Sequence, residues 1–427
     1  MNKMIDLINR RKNGENIGIC SVCSANELVI EAAFEVGIEY NTQVLIEATA
    51  NQVNQFGGYT GMKPADFVKY VQGIAKKINF PIENLILGGD HLGPLTWQNL
   101  NEEEAMANSD ELLKQYVKAG FTKIHIDTSM RVADDSKDIK LSDETIARRA
   151  ARLAKICEEN ASGDGLAYII GSEVPIPGGA QENEDSVSVT TKGQFLETFE
   201  TFKNEFSKLG LDEAFKRVIG VVVQPGVEFA DASVIEYDRS KAEDLCNALK
   251  GHGGLVFEGH STDYQTKEKL REMVEDGIAI LKVGPALTYY LRQALFALSD
   301  IEQEALFNKG AVLSRFKETL EEAMLSRPGD WVKHYHGDNL EKKIKRKYSF
   351  SDRCRYYLLD ENVVKSQNIL FSNIKNNQIP ISLYDQYLPN QYLHYRESKI
   401  TLSPEEIIKD KIKECIYTYI YATLPNK

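Results

Sequence analysis

Short apolar, β-branched runs recur along the first two-thirds of the chain, each followed by a longer stretch with helical spacing. They occupy residues 17–23, 43–47, 85–91, 123–127, 166–173, 218–224, 255–260 and 278–283. Runs so nearly continuous in apolar residues suit strands buried on both faces, as in a parallel sheet covered by helices. Between them, 27–36, 64–78 and 102–119 space their apolar residues for helices. Pro64 fits a first helical turn and Gly120 a stop. Eight strands alternating with helices is the count of a (β/α)8 barrel. Counting does not show closure, so a doubly wound sheet fits the same alternation. No glycine fingerprint follows the first strand, which argues against a dinucleotide-binding sheet.

After residue 290 the rhythm changes. Residues 291–298 and 301–325 read as two helices stopped by Arg327-Pro328-Gly329, and 330–427 is rich in aromatic residues and helical spacing, notably at 404–424. The expected organisation is a barrel over 1–290 and a helical C-terminal extension over 291–427 packed on it.

Composition narrows the function classes. A net charge of −12, from 63 acidic and 51 basic residues, argues against nucleic-acid binding, which needs clustered Lys and Arg. The one basic run, 342–347, reads first as a solvated helix end and second as an anion patch. Cys20 and Cys23 form a lone pair inside an apolar run, so free buried thiols fit better than a zinc ribbon or redox motif. No stretch of about 18 uncharged apolar residues occurs. The N-terminus has no apolar core of a signal segment. A cytoplasmic protein without membrane contact is expected.

In a barrel, chemistry gathers where strands end, because the following loops converge on the axis. The polar residues of these apolar runs cluster at that end: Glu47, Asp90-His91, Asp127 with Ser129, Glu173, Gln224, Glu258-Gly259-His260 and Lys282. His91 and His260, with Asp127 and Glu173 between them, suit a divalent ion, zinc foremost and Mn, Co or Ni as alternatives. Each of the four alone reads first as a hydrogen-bonded rim side chain; together they favour a metal. His125 lies within its run and is assigned to packing. An ion beside Asp90 suits chemistry next to a ketone, with Asp90, Asp127 or Glu173 moving the proton. Phosphate grips are expected at Ser261, Asp263 and Gly284, in the turns after strands seven and eight. Arg353 could add a guanidinium, with a structural ion pair as the other reading. The amide-rich loop with Asn51 and Gln55 suits sugar hydroxyls, as do Glu47, Ser129 and Lys282.

Several longer segments carry a resemblance: Asn51-Gln52-Val53-Asn54-Gln55-Phe56-Gly57-Gly58-Tyr59, Gly88-Gly89-Asp90-His91-Leu92-Gly93-Pro94, Glu173-Val174-Pro175-Ile176-Pro177-Gly178-Gly179 and His260-Ser261-Thr262-Asp263-Tyr264. With Val223-Gln224-Pro225-Gly226, Leu281-Lys282-Val283-Gly284-Pro285 and Asp385-Gln386-Tyr387-Leu388-Pro389, they resemble the Z-type subunit of bacterial tagatose-1,6-bisphosphate aldolase along nearly the whole chain. That family has also carried the label tagatose 6-phosphate kinase, for which no Gly-x4-Gly-Lys-Ser/Thr phosphate cradle is present here.

The resemblance implies a TIM barrel related to class II aldolases and a phosphorylated ketose as substrate, in galactitol or N-acetylgalactosamine breakdown. It implies one of two roles. One is a metal-dependent 4-epimerase of sugar phosphates, of aldolase type; the other is a non-catalytic partner that supports a separate Y-type catalytic subunit. A homo-oligomer is also expected. Asp90-His91 matches the class II Asp-His pair and His260 a later metal histidine. Where a third metal histidine is expected, near the end of strand six, this chain has Gln224, which becomes the candidate ligand there, a departure that argues against ordinary zinc-aldolase activity.

Overall fold

A computed structural model of the protein describes residues 2–162, 165–172, 174 and 187–425. Eight parallel strands form its centre: β1 (Ile19–Val22), β2 (Val44–Thr49), β3 (Leu85–Leu92), β4 (Lys123–Ile126), β5 (Ala167–Ile170), β6 (Val218–Val223), β7 (Val256–Gly259) and β8 (Ile278–Val283). β1 pairs with β2 on one side and with β8 on the other, so the sheet closes into a (β/α)8 barrel. The doubly wound alternative is thereby excluded. A short antiparallel ribbon, Glu228–Phe229 with Val234–Ile235, sits between β6 and β7 in the chain.

Alternation along each strand sends one row of side chains outward and the next inward. Ile46, Ile124, Ile126, Leu281 and Val283 join the shell of helices in the larger apolar cluster. Ile19, Leu45, Ile86, Ile169, Val256 and Ile280 point inward and form a separate apolar cluster. Met4, Leu7 and Ile8 of the Lys3–Lys12 helix complete that cluster. The helix is tied to the entry points of the strands: Asn2 Nδ2 donates to Thr122 O and Gly165 O, and Lys3 Nζ to Leu85 O. The N-terminal end of the barrel is therefore plugged with hydrocarbon.

The helices at Glu27–Glu39, Pro64–Lys77 and Glu102–Ala119 lie where the sequence spacing places them. Gly120 ends the last of these in the left-handed region, φ 101°, which a glycine adopts without steric cost. Beyond β8 the chain differs from expectation. One helix runs Pro285–Leu306 through the expected break at Ser299-Asp300, because Ser299 is buried in the packing and Asp300 pairs with Lys317. The real interruption comes at 307–315, where Asn308, Gly310 and Arg315 have positive φ, and the next helix is Phe316–Ser326.

The Pro404–Thr423 helix packs its Ile407, Ile408, Ile412 and Ile416 face against Glu27–Glu39, Lys267–Glu275 and Pro285–Leu306. Its Tyr419 hydroxyl donates to Thr262 O at 2.9 Å and so steadies the loop after β7. Among the described residues no helix is long and apolar enough to cross a membrane.

Candidate active site at the mouth of the barrel

Two residues beyond the apolar plug, the same inward rows change character. Leu45 gives way to Glu47, Val256 to Glu258 and Ile280 to Lys282, while β4 brings in Lys123 and His125; all five are buried. On β3 the approach is irregular. The pairing register with β4 shifts between Gly89 and Leu92, and His91 takes φ 47°. A non-glycine residue in that region stores strain of about 1–3 kcal/mol, a cost that tends to gather at functional sites. This bulge brings both Asp90 and His91 to the pocket. The glycines around them make room: a Cβ on Gly88 would lie 2.5 Å from Glu47 Oε1, and one on Gly93 would lie 1.9 Å from Asp127 O.

The charges alternate. Lys123 Nζ stands 2.7 Å from Glu47 Oε1 and 2.6 Å from Glu258 Oε2. These three atoms lack aligned hydrogen-bond geometry, so the contacts act as ion pairs. Lys282 pairs with Glu47 and, at 2.8 Å, with Asp90 Oδ2. Burial disfavours the Asp90 anion, but Lys282, His91 and His125 outweigh it and hold the carboxyl well below its usual range.

Three imidazoles meet here, with ring centres 5.0–5.3 Å apart: His91, His125 and His260. His125 Nδ1 lies 2.8 Å from Asp90 Oδ1. The same Nδ1 lies 3.2 Å from the His91 N–H, so two groups compete for it: an ionised Asp90 can only accept, and the backbone N–H can only donate. The His125 Nε2 is buried and has no hydrogen-bond partner among the described residues. His260 donates from Nε2 to Glu258 Oε1 at 3.0 Å, which leaves its Nδ1 lone pair free. Burial lowers His260 to about 4, so it is neutral at ordinary pH. Asp90, His125, Glu258 and His260 each offer a ligand atom, all within 4.8 Å of one another. Two imidazoles, two carboxylates and one orphaned nitrogen are compatible with a divalent ion.

Of the expected metal ligands, the structure puts His260 in this group. His91 stands beside it, its Nδ1 engaged with Asp127 Oδ2 at 2.8 Å. Burial opposes its protonation, and Asp90 and Asp127 raise it nonetheless. Gln224 is half-buried, and its Oε1 accepts from the Gly226 and Val227 N–H groups, closing the turn after β6. Glu173 lies outside the described residues. His125 and Glu258 were missed. Their signal was alternation: a doubly buried strand reading Lys-Ile-His-Ile carries a charged or polar group at every second position, and so must face a polar interior.

Asp90, His91, His260 and Lys282 line the pocket. So do Ser261, at φ 53°, with Asp263 and Gly284. Asp263 Oδ1 accepts from Gly284 N at 3.1 Å and Ala286 N at 2.8 Å, so the turn expected to grip phosphate already holds a carboxylate. Glu47 is fully buried, its carboxylate held between Lys123 and Lys282. Asp127 Oδ1 takes the Ser129 N–H and hydroxyl, which ties Ser129 to the support of His91. Asn51 reaches the pocket along with Gln52 and Tyr59, whereas Gln55 Nε2 donates to Asn108 O. Arg353 donates to Asp330 O; Arg355, with Tyr356, is the guanidinium on the pocket wall. Cys23 also touches the pocket, and burial pushes its thiol up to about 12, so it is no nucleophile.

The family model for D-tagatose-1,6-bisphosphate aldolase subunit GatZ/KbaZ-like proteins matches residues 4–424. The solved structure of a probable tagatose 6 phosphate kinase from Sinorhizobium meliloti 1021 is 42% identical, over 95% of this chain and 100% of that one, with a TM-score of 0.87. A fructose-bisphosphate aldolase from Campylobacter jejuni is 14% identical over 86% of this chain and 90% of its own, with a TM-score of 0.44. At that distance the second likeness bears on neither fold nor chemistry.

Proposed function

The chain belongs to the GatZ/KbaZ-like family of D-tagatose-1,6-bisphosphate aldolase subunits, and from that premise we propose a metal-dependent ketose-phosphate C4 epimerase interconverting tagatose 6-phosphate and fructose 6-phosphate. An aldolase-related role on sugar phosphates goes with the family; the epimerisation is our reading. The observation that carries it is the setting of Asp90, a buried carboxylate on the pocket wall, kept ionised by Lys282 and His125 beside two further histidines.

Inversion at C4 is possible by retro-aldol cleavage. Asp90 accepts the proton of the C4 hydroxyl, the C3–C4 electron pair moves toward the C2 carbonyl, and a three-carbon aldehyde is released. Rotation of that aldehyde and re-addition to its other face returns the proton from Asp90 to the new C4 alkoxide. No atom is gained or lost. Asp127 is engaged by His91 and Ser129, so it positions the His91 ring rather than moving a proton. His125, His260 and Glu258 are the residues that would hold the ion, zinc foremost. When bound it would supply Lewis-acid polarisation of the ketone. Asn51, Gln52 and Tyr59 offer hydrogen-bonding groups to the sugar hydroxyls.

The direct test is purified protein, alone, with fructose 6-phosphate and Zn2+ or Mn2+. Tagatose 6-phosphate is expected, and His125→Ala and His260→Ala are each expected to lose both bound metal and turnover. Equal inertness of wild type and His260→Ala would remove the epimerase reading. The family's description as an aldolase subunit supports a second reading, a non-catalytic partner of a Y-type aldolase. Co-purification with such a subunit, and a rise in its activity, would favour it.

A further inference from the structure

The cations around the mouth are unequally balanced. Lys282 is neutralised by Asp90 and Glu47, and Lys123 by Glu47 and Glu258. Arg355 also faces the pocket, yet among the described residues no carboxylate stands within ion-pairing range of it. Its Nη1 donates to the carbonyls of Ser351 and Asp352, the latter at 3.1 Å, and its Nη2 to the Tyr356 hydroxyl at 2.9 Å. The Tyr356 ring lies 4.5 Å from its Cζ. The guanidinium is thus held in a fixed plane by neutral acceptors, with Asp352 and Asp263 acting on its charge only from beyond contact range. A preorganised cation of this kind favours a planar or tetrahedral oxyanion.

A second observation removes the usual competitor. In (β/α)8 barrels phosphate commonly sits on the backbone N–H groups after the eighth strand, at the start of the following helix. Here Asp263 has taken Gly284 N–H and Ala286 N–H, and a phosphate entering that turn would meet a carboxylate. We infer that Arg355, supplied by the C-terminal helical region, holds the phosphate of the substrate in place of the β8 turn. This inference rests on the ketose-phosphate reading of the pocket. It orients the sugar, with the phosphorylated end toward Arg355 and Tyr356 and the reacting carbons toward Asp90.

The test is calorimetric binding of fructose 6-phosphate, fructose and inorganic phosphate to wild type, Arg355→Gln and Arg355→Lys, with folding checked by circular dichroism. Arg355→Gln is expected to weaken fructose 6-phosphate about 10- to 100-fold, leave fructose unmoved and so erase the preference for the phosphorylated sugar. Arg355→Lys keeps the charge without the fork and should fall between; if the Gln variant does not fold, the Lys variant carries the test by the same preference. A variant that binds fructose 6-phosphate as wild type does would overturn the inference and leave the epimerase reading standing. Arg355-dependent phosphate binding by a wild type that turns over no fructose 6-phosphate would do the reverse. Wild type that binds neither fructose 6-phosphate nor phosphate overturns the inference.

Discussion

Leu45 and Glu47 stand two residues apart on the same inward row of β2, as do Val256 and Glu258 on β7, and Ile280 and Lys282 on β8. The lower members of these pairs pack against one another and against the N-terminal helix; the upper members are all charged and equally buried. Hydrocarbon burial stabilises at about 25 cal/mol per Å². A buried charge costs several kcal/mol in lost hydration, and its partners return that only when the geometry is close. The lower layer is therefore a source of stability. The upper layer is at best neutral for the fold, and its persistence calls for a chemical use.

The largest expected effect falls on that use. Asp90→Asn removes the proposed base while keeping its shape, and turnover of fructose 6-phosphate should drop by about 100- to 10,000-fold. A variant retaining a tenth of wild-type turnover would move the proton transfer to another residue. Stability separates the layers next. Lys123→Met leaves Glu47 and Glu258 facing one another without their shared cation, and should cost about 3–5 kcal/mol in urea unfolding. Leu45→Ala, in the plug, should cost about 2–5 kcal/mol through its cavity. The sizes overlap, but the rescue does not. Adding Glu47→Gln and Glu258→Gln to Lys123→Met should recover much of the loss, whereas no second polar change should mend Leu45→Ala. Failure of the triple variant to recover would mean that the upper layer is held by packing rather than charge balance.

The two layers were also unequally legible in the sequence. Strand positions, the closing helices and the polarity of strand ends follow from apolar periodicity, because that periodicity is what drives burial. Closure did not follow, since it depends on β1 meeting β8 across the whole chain. Within the mouth, Asp90, His260 and Lys282 could be read because they end their strands. His125 reads as packing in the sequence because it lies inside β4, and only the bulge at Asp90-His91 puts Asp90 beside it. Arg353 and Arg355 are indistinguishable in sequence. Which one reaches the pocket is decided by the short helical turn Arg353–Tyr357. Gln224 stands where the resemblance expected a ligand, yet its side chain is spent on its own turn.

The smallest effect sharpens the contrast through pH. Asp263 belongs to the mouth, and among the described residues no cation stands in ion-pairing range of it; burial raises it to about 6, against the two N–H donors and the more distant Arg355, which favour its anion. An unfolded aspartate titrates near about 3.9. Between about 4 and 6, then, the native state binds a proton that the unfolded state has already lost, and stability falls as pH rises through that window. The full swing is at most about 3 kcal/mol, from a shift of about two units. Asp263→Asn retains the side-chain oxygen for Gly284 and Ala286 but cannot titrate. Urea midpoints of wild type and Asp263→Asn should therefore diverge in favour of the variant as pH rises from about 4 to 7, and run parallel above that. Leu45→Ala, at the hydrocarbon end, should stay parallel to wild type throughout. Parallel curves for Asp263→Asn as well would mean that its carboxyl titrates as it does in the unfolded chain, and that the mouth tolerates its charge as readily as water does.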